Sequence, residues 1–230
     1  MKTIGMIGGM SWESSIEYYR IVNQTVKEKL GGLHSAKSVM YSVDFAEIET
    51  LQREGRWDQA TQAMITAARH VESGSADFVV ICTNTMHKMA DDVEAAIGIP
   101  LLHIADATAE AIKARGLSKI GLLGTKFTME EDFYRGRLVE HHGLNVLIPE
   151  TEDREVAHRV IYDELVLGNI KSESREVYKK IIEKLIAAGA QGIILGCTEI
   201  GLLVKDEDSS IPLFDTTYIH AVSAVEYALK

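Results

Sequence analysis

The chain is poor in the residues that build several common architectures. It holds two cysteines and three prolines in 230 residues. Two thiols in a chain this long exclude a disulfide scaffold, and three prolines leave no proline-rich linker. No apolar run approaches 18 residues, which argues against a membrane-spanning helix. The opening Met1-Lys2-Thr3-Ile4-Gly5 lacks a basic segment followed by an apolar stretch, so no signal peptide is expected and the cytoplasm is the expected compartment. Basic residues are outnumbered 24 to 34, giving a net charge of −10. That balance opposes binding to nucleic acid or to an anionic membrane. An anionic substrate would have to be held by local donors.

Several motifs are missing too. The Gly8-Gly9 turn lacks the G-x-G-x-x-G spacing of a dinucleotide site. No G-x-S-x-G accompanies a serine hydrolase triad. His141-His142 and the other histidines show no metal-ligand spacing, so neither a metal nor a cofactor is expected.

What is present is an internal repeat in a chain of ordinary globular composition (46% hydrophobic, 25% charged). Residues 76–85, ADFVVICTNT, align without gaps with residues 190–199, AQGIILGCTE, at a shift of 114. Thr83 falls opposite Cys197, and Cys82 opposite Gly196. Ile4-Gly5-Met6-Ile7-Gly8 aligns with Ile120-Gly121-Leu122-Leu123-Gly124, and Tyr18 with Tyr134, both at a shift of 116. Two copies of one folding unit can place equivalent side chains on the two faces of one ligand.

Short apolar runs alternate with amphipathic stretches. Strands are expected at 3–7, 38–42, 78–81, 101–103, 120–123, 145–148, 192–195 and 213–214. Continuous apolar runs of this kind suit a parallel sheet buried on both faces. Helices are expected over 57–73, 174–188 and 217–229. Capping boxes at Ser14–Glu17 and Thr128–Glu131 predict two more helix starts, one opening a helix over 17–30. The alternation predicts an α/β fold made of two similar doubly wound parallel-sheet domains related by a pseudo-two-fold, with the active site in the cleft between them. The expected division is 1–104 plus 216–230 for the first domain and 105–215 for the second.

Four βα turns carry the chemistry: Gly8–Ser11, Cys82–Thr85, Gly124-Thr125 and Cys197–Glu199. Ligands of parallel α/β sheets bind beyond the carboxyl ends of the strands, where helix N-termini favour anions. Cys197 is the leading catalytic candidate, with a buried inert cysteine as the rival reading. A helix start there is expected to lower its thiol pKa. Thr83 is its counterpart. Alternation along the strand should turn Cys82 away from Thr83, as buried filler. Asn84, Thr85, Thr198 and Glu199 are candidate substrate contacts, with helix capping as the rival reading. Met10 and Gln52 join them, Gln52 with Arg53 behind it and a surface helix position as its rival reading. His87, four residues beyond Thr83, fits a structural histidine.

These residues resemble the aspartate/glutamate racemase family of cofactor-independent amino-acid racemases. The resemblance spans essentially the whole chain. It rests on Ile4–Met10, Asn84-Thr85-Met86-His87, His103-Ile104-Ala105-Asp106, Gly196-Cys197-Thr198-Glu199-Ile200 and Phe214-Asp215-Thr216. The Gly8-Gly9-Met10 opening is similar to the aspartate-racemase branch. The resemblance implies racemisation by two cysteines, one removing the α-proton and one returning a proton to the other face, often in a homodimer. Here threonine stands at position 83 where the family's first cysteine would precede Asn-Thr. That departure predicts Cys197 as base on an L substrate and Thr83 as donor, with kinetics that differ between L and D in kcat and KM separately. Cations that clamp a side-chain carboxylate in some aspartate racemases have no match here. The expected substrate is L-aspartate or L-glutamate. The alternatives are a broad-specificity amino-acid racemase, a related decarboxylase, hydantoin racemase or maleate isomerase, and a non-catalytic amino-acid-binding protein of the same fold.

Overall fold

A computed structural model describes residues 1–230. The chain divides into two units, Met1–Ile104 with His220–Lys230, and Ala105–Ile219.

Unit 1 begins with β1 (Ile4–Gly8), α1 (Trp12–Leu30), β2 (Ser38–Ser42), α2 (Phe45–Arg53), α3 (Trp57–Ser73) and β3 (Phe78–Ile81). A 3₁₀ turn over Thr85–Met89 and the short α4 (Ala90–Ala95) follow, and α5 (Ile104–Ala114) leads out. The sheet order is β2-β1-β3, all parallel. The fourth strand expected at 101–103 is reduced to one parallel bridge, Val79 to Leu101. Strands β1 and β3 are buried throughout, which explains their unbroken apolar runs, while the edge strand β2 is half-buried at Ser38 and Val39 and exposed from Met40 to Ser42. Along β3, Phe78, Val80 and Cys82 enter one core with Ile4, Met6 and Tyr18. Val79 and Ile81 enter the other with Ile7, Met64 and Met86.

Unit 2 carries β4 (Lys119–Gly124), α6 (Lys126–Glu130), α7 (Asp132–Glu140), β5 (Asn145–Leu147), α8 (Thr151–Asp163) and α9 (Ser172–Ala187). Then come β6 (Ile193–Gly196), α10 (Ile200–Leu203), β7 (Leu213–Asp215) and α11 (Thr216–Leu229), which runs back into unit 1. Its parallel order, β5-β4-β6-β7, repeats that of unit 1. The expected α/β class with two parallel sheets is therefore what the chain adopts.

Both expected capping boxes are displaced. The first helix starts at Trp12, not at residue 17. Ser14 and Ser15 lie in its first turn, where both hydroxyls donate back to the Ser11 carbonyl at 3.2 and 2.7 Å. In unit 2 the cap is Thr125, whose Oγ1 accepts from the Thr128 N–H at 3.2 Å. Thr128 lies inside the short helix, and α7 starts separately at Asp132. A hydroxyl three residues before a carboxylate is only a local pattern. The strand end upstream decided which turn became the cap.

Candidate active site

In each unit two strand ends deliver two turns side by side. In unit 1, Ile7 is in register with Ile81, and the Cys82 N–H donates to the Ile7 carbonyl at 2.9 Å. The Gly8–Ser11 and Cys82–Thr85 turns thus leave one edge of the sheet together. Gly9 has φ +92°, and a Cβ there would lie 2.3 Å from the Val43 carbonyl oxygen. The turn closes on its own helix, since Gly9 N–H donates to Ser15 Oγ at 2.8 Å.

Thr83, Asn84 and Thr85 are all buried at this edge. His87 fixes the first of them. Its Nε2 accepts from the Ile104 N–H at 3.2 Å, so its Nδ1 carries the proton and donates to the Thr83 carbonyl at 2.8 Å. His87 also packs against His103 and His220, with ring centroids 4.5 and 5.8 Å away. His220 takes the Tyr18 hydroxyl on Nδ1 and donates from Nε2 to the Leu102 carbonyl, each at 2.9 Å. Burial pushes His220 down to about 4. This buried imidazole cluster escaped the sequence reading. Its members lie far apart in the chain, and only the His87–Thr83 spacing hinted at it.

Gln52 is buried on α2, and its Nε2 lies 3.0 Å from Met86 Sδ. Arg53 is exposed and pairs with Glu49 at 3.2 Å. Met10 is buried in the apolar core of Ile7, Ile48 and Met86. Cys82 is fully buried on the opposite core face, where burial holds its thiol protonated.

Unit 2 repeats the construction. Gly124 is in register with Gly196, and the backbones touch: a Cβ on Gly124 would lie 2.8 Å from the Gly196 oxygen, one on Gly196 2.7 Å from the Leu123 oxygen. Thr125 and Cys197 therefore follow adjacent strand ends. Cys197 is 7% exposed. Its Sγ donates to Glu199 Oε2 at 3.0 Å, and Thr198 Oγ1 donates to the same oxygen at 2.8 Å. Burial first, and then the Glu199 charge, push the thiol well above its ordinary value, against weaker help from the Thr198 and Glu199 N–H groups. The expected lowering by a helix start fails for a structural reason. The helix begins only at Ile200 and has four residues, while a carboxylate occupies the turn. Cys197 is thus a thiol hydrogen-bonded to a base, and a proton moved from Sγ to Glu199 leaves the pair's net charge unchanged.

The chain as a whole is similar to known proteins. Residues 7–224 match the model of the Asp/Glu/Hydantoin racemase family. A Yersinia pestis crystal structure of a candidate Asp/Glu racemase shares 60% identity over all of both chains, with a TM-score of 0.92. An aspartate racemase homologue from Pyrococcus horikoshii shares 37% over all of both chains, at 0.85. A broad specificity amino-acid racemase of Bacillus subtilis is 24% identical over 73% of this chain and 72% of its own.

Proposed function

Because the chain belongs to the Asp/Glu/Hydantoin racemase family, we propose that it racemises acidic amino acids without a cofactor, converting L-aspartate or L-glutamate to the D form. Cys197 is the base on the L substrate and Thr83 the donor to the other face of Cα. The observation that carries this reading is the Cys197 thiol resting on a buried carboxylate 3.0 Å away, at a strand end.

Glu199 takes the thiol proton as substrate enters, and the thiolate removes the α-proton. The Thr83 hydroxyl gives its proton to the planar carbanion. Its alkoxide recovers one from solvent, and the Cys197–Glu199 pair returns one. A threonine alkoxide is a far weaker base than an α-carbanion, so that donation runs downhill. Taking a proton the other way is harder, because a hydroxyl holds almost no anion near neutral pH. The substrate carboxylates fall to Asn84, Thr85, Thr198 and Gln52, beside Met10. The protein works as a homodimer in the cytoplasm. A broad-specificity racemase is the second reading, supported by the similarity to the Bacillus subtilis enzyme.

The test is proton NMR of L- and D-aspartate and glutamate in deuterated water. The α-proton of an L acid should disappear as the D enantiomer forms. Cys197→Ala should abolish both events. Thr83→Ala should slow D-product formation more than deuterium entry into the L acid. Deuterium entry at an unchanged rate in Cys197→Ala overturns the proposal.

A further inference from the structure

The internal repeat supplies its own control for one feature of unit 2. Ile99-Pro100-Leu101 and Ile211-Pro212-Leu213 are identical at a shift of 112, and Leu101 and Leu213 each pair in parallel with the strand beside them. His103 is thus the counterpart of Asp215. At the shift of 114, His87 is the counterpart of Gly201. In unit 1 the place between these positions is filled, with the two imidazoles 4.5 Å apart. In unit 2 the first position has no side chain, and Asp215 closes on it: a Cβ on Gly201 would lie within 2.4 Å of Asp215 Oδ2. Beside them opens a cavity of about 590 Å³, a size suited to small-molecule ligands.

Its wall combines an apolar surface with two cations. Ile211, Pro212 and the exposed Tyr218 supply the surface, over the nearly covered Val204 and Phe214. The Arg115 guanidinium lies 5.3 Å from the centroid of the Phe214 ring, and the Lys205 ammonium donates to the Gly201 carbonyl at 2.6 Å. Neither cation has a carboxylate partner, although the protein is acidic overall. Of the two carboxylates on the wall, Asp215 accepts from the Thr217 and Tyr218 N–H groups at 2.9 and 3.2 Å. Asp206 is exposed.

We propose that this cavity of unit 2 is a second ligand site, for a small carboxylate with an apolar or aromatic body. The body packs on Ile211, Pro212 and Tyr218. The carboxylate meets Arg115 and Lys205. A bare anion lacks the apolar contact, and an apolar cation meets the wrong charge. The occupant also touches Gly201 and Val204, in the segment that begins at Glu199, the acceptor of the Cys197 thiol. Filling the cavity therefore changes the reactivity of Cys197.

Phenylacetate, acetate and benzylamine are the probes, titrated into the full-length protein and followed by backbone amide shifts. Phenylacetate should bind and move amides of 201–206 and 211–218, acetate and benzylamine should bind at least about tenfold more weakly, and Arg115→Glu should weaken phenylacetate by at least about tenfold. Equal binding of benzylamine, no binding of phenylacetate, unchanged affinity in Arg115→Glu, or shifts centred on Thr83 and Cys197 would overturn the site. The same affinity in Cys197→Ala is expected, so the site stands or falls apart from the racemase reading. Saturating phenylacetate should change the iodoacetamide reaction rate of Cys197 at least about twofold, and an unchanged rate overturns the link to the thiol.

Discussion

The Cys197 thiol donates to Glu199 Oε2 at 3.0 Å, a contact that adds to burial in keeping the sulfur protonated and gives its proton a route. A buried thiol beside a carboxylate is neutral at rest, and the same carboxylate is the nearest place for the proton to go.

Glu199→Gln separates these two effects. Removing the charge lowers the thiol pKa, because Glu199 raises it both through space and as hydrogen-bond acceptor. Alkylation of Cys197 by iodoacetamide near pH 8 should then speed up, by about tenfold per unit of pKa. Deuterium entry into L-aspartate should fall by about 10²-fold as the proton acceptor is lost. In the parent protein, alkylation should still be rising at pH 9, since the thiol titrates above its ordinary range. Slower alkylation in the variant would refute this account of the pair.

His220 predicts a pH dependence of stability. Its pKa is about 4 in the folded protein against an ordinary 6.5, because burial disfavours the cation. The unfolded chain therefore binds the proton first as pH falls. Stability is full above pH 6.5 and declines between 6.5 and about 4, by about 3 kcal/mol from this group. Urea unfolding at pH 7 and pH 4.5 should show a smaller difference for His220→Gln than for the parent.

The two thiols should behave oppositely. Cys82 is fully buried among Phe78, Val80 and Tyr18. Cys82→Ser places a hydroxyl in that core at a cost of about 1–3 kcal/mol. Racemisation per folded molecule should stay unchanged, and mass spectrometry of the native protein should find alkylation at Cys197 alone.

Gly196→Ala tests the backbone approach beneath Cys197. The new Cβ would sit 2.7 Å from the Leu123 carbonyl oxygen and 2.8 Å from Leu122 Cδ1. Parting β4 from β6 should cost about 1–3 kcal/mol in urea unfolding. It should also depress racemisation in the molecules that remain folded, because Cys197 is the next residue. Activity per folded molecule equal to the parent's would show that the strand ends adapt without moving the thiol.

Much of this architecture could be read from neighbours along the chain. Strands β2 and β3 and helix α3 fall at their expected residues. The apolar run of β3 and the helical spacing of α3 are local signals, and a strand buried on both faces leaves an unbroken run. The repeat likewise places Thr83 and Cys197 at equivalent strand ends. Strand 101–103 read too long, since a tripeptide's apolar character cannot say how many ladder bonds it finds.

The states of the functional groups were set elsewhere. Burial and the rotamer of Glu199 give the Cys197 thiol its raised pKa, against the lowering that a helix start alone implies. The neutral His220, the histidines packed on His87, the Met86 contact of Gln52 and the open space beside Gly201 all join residues separated by tens to more than a hundred positions. Periodicity is written in the order of residues. Dielectric, tautomer and empty volume are sums over whatever the fold brings near, and the chain's order carries no record of them.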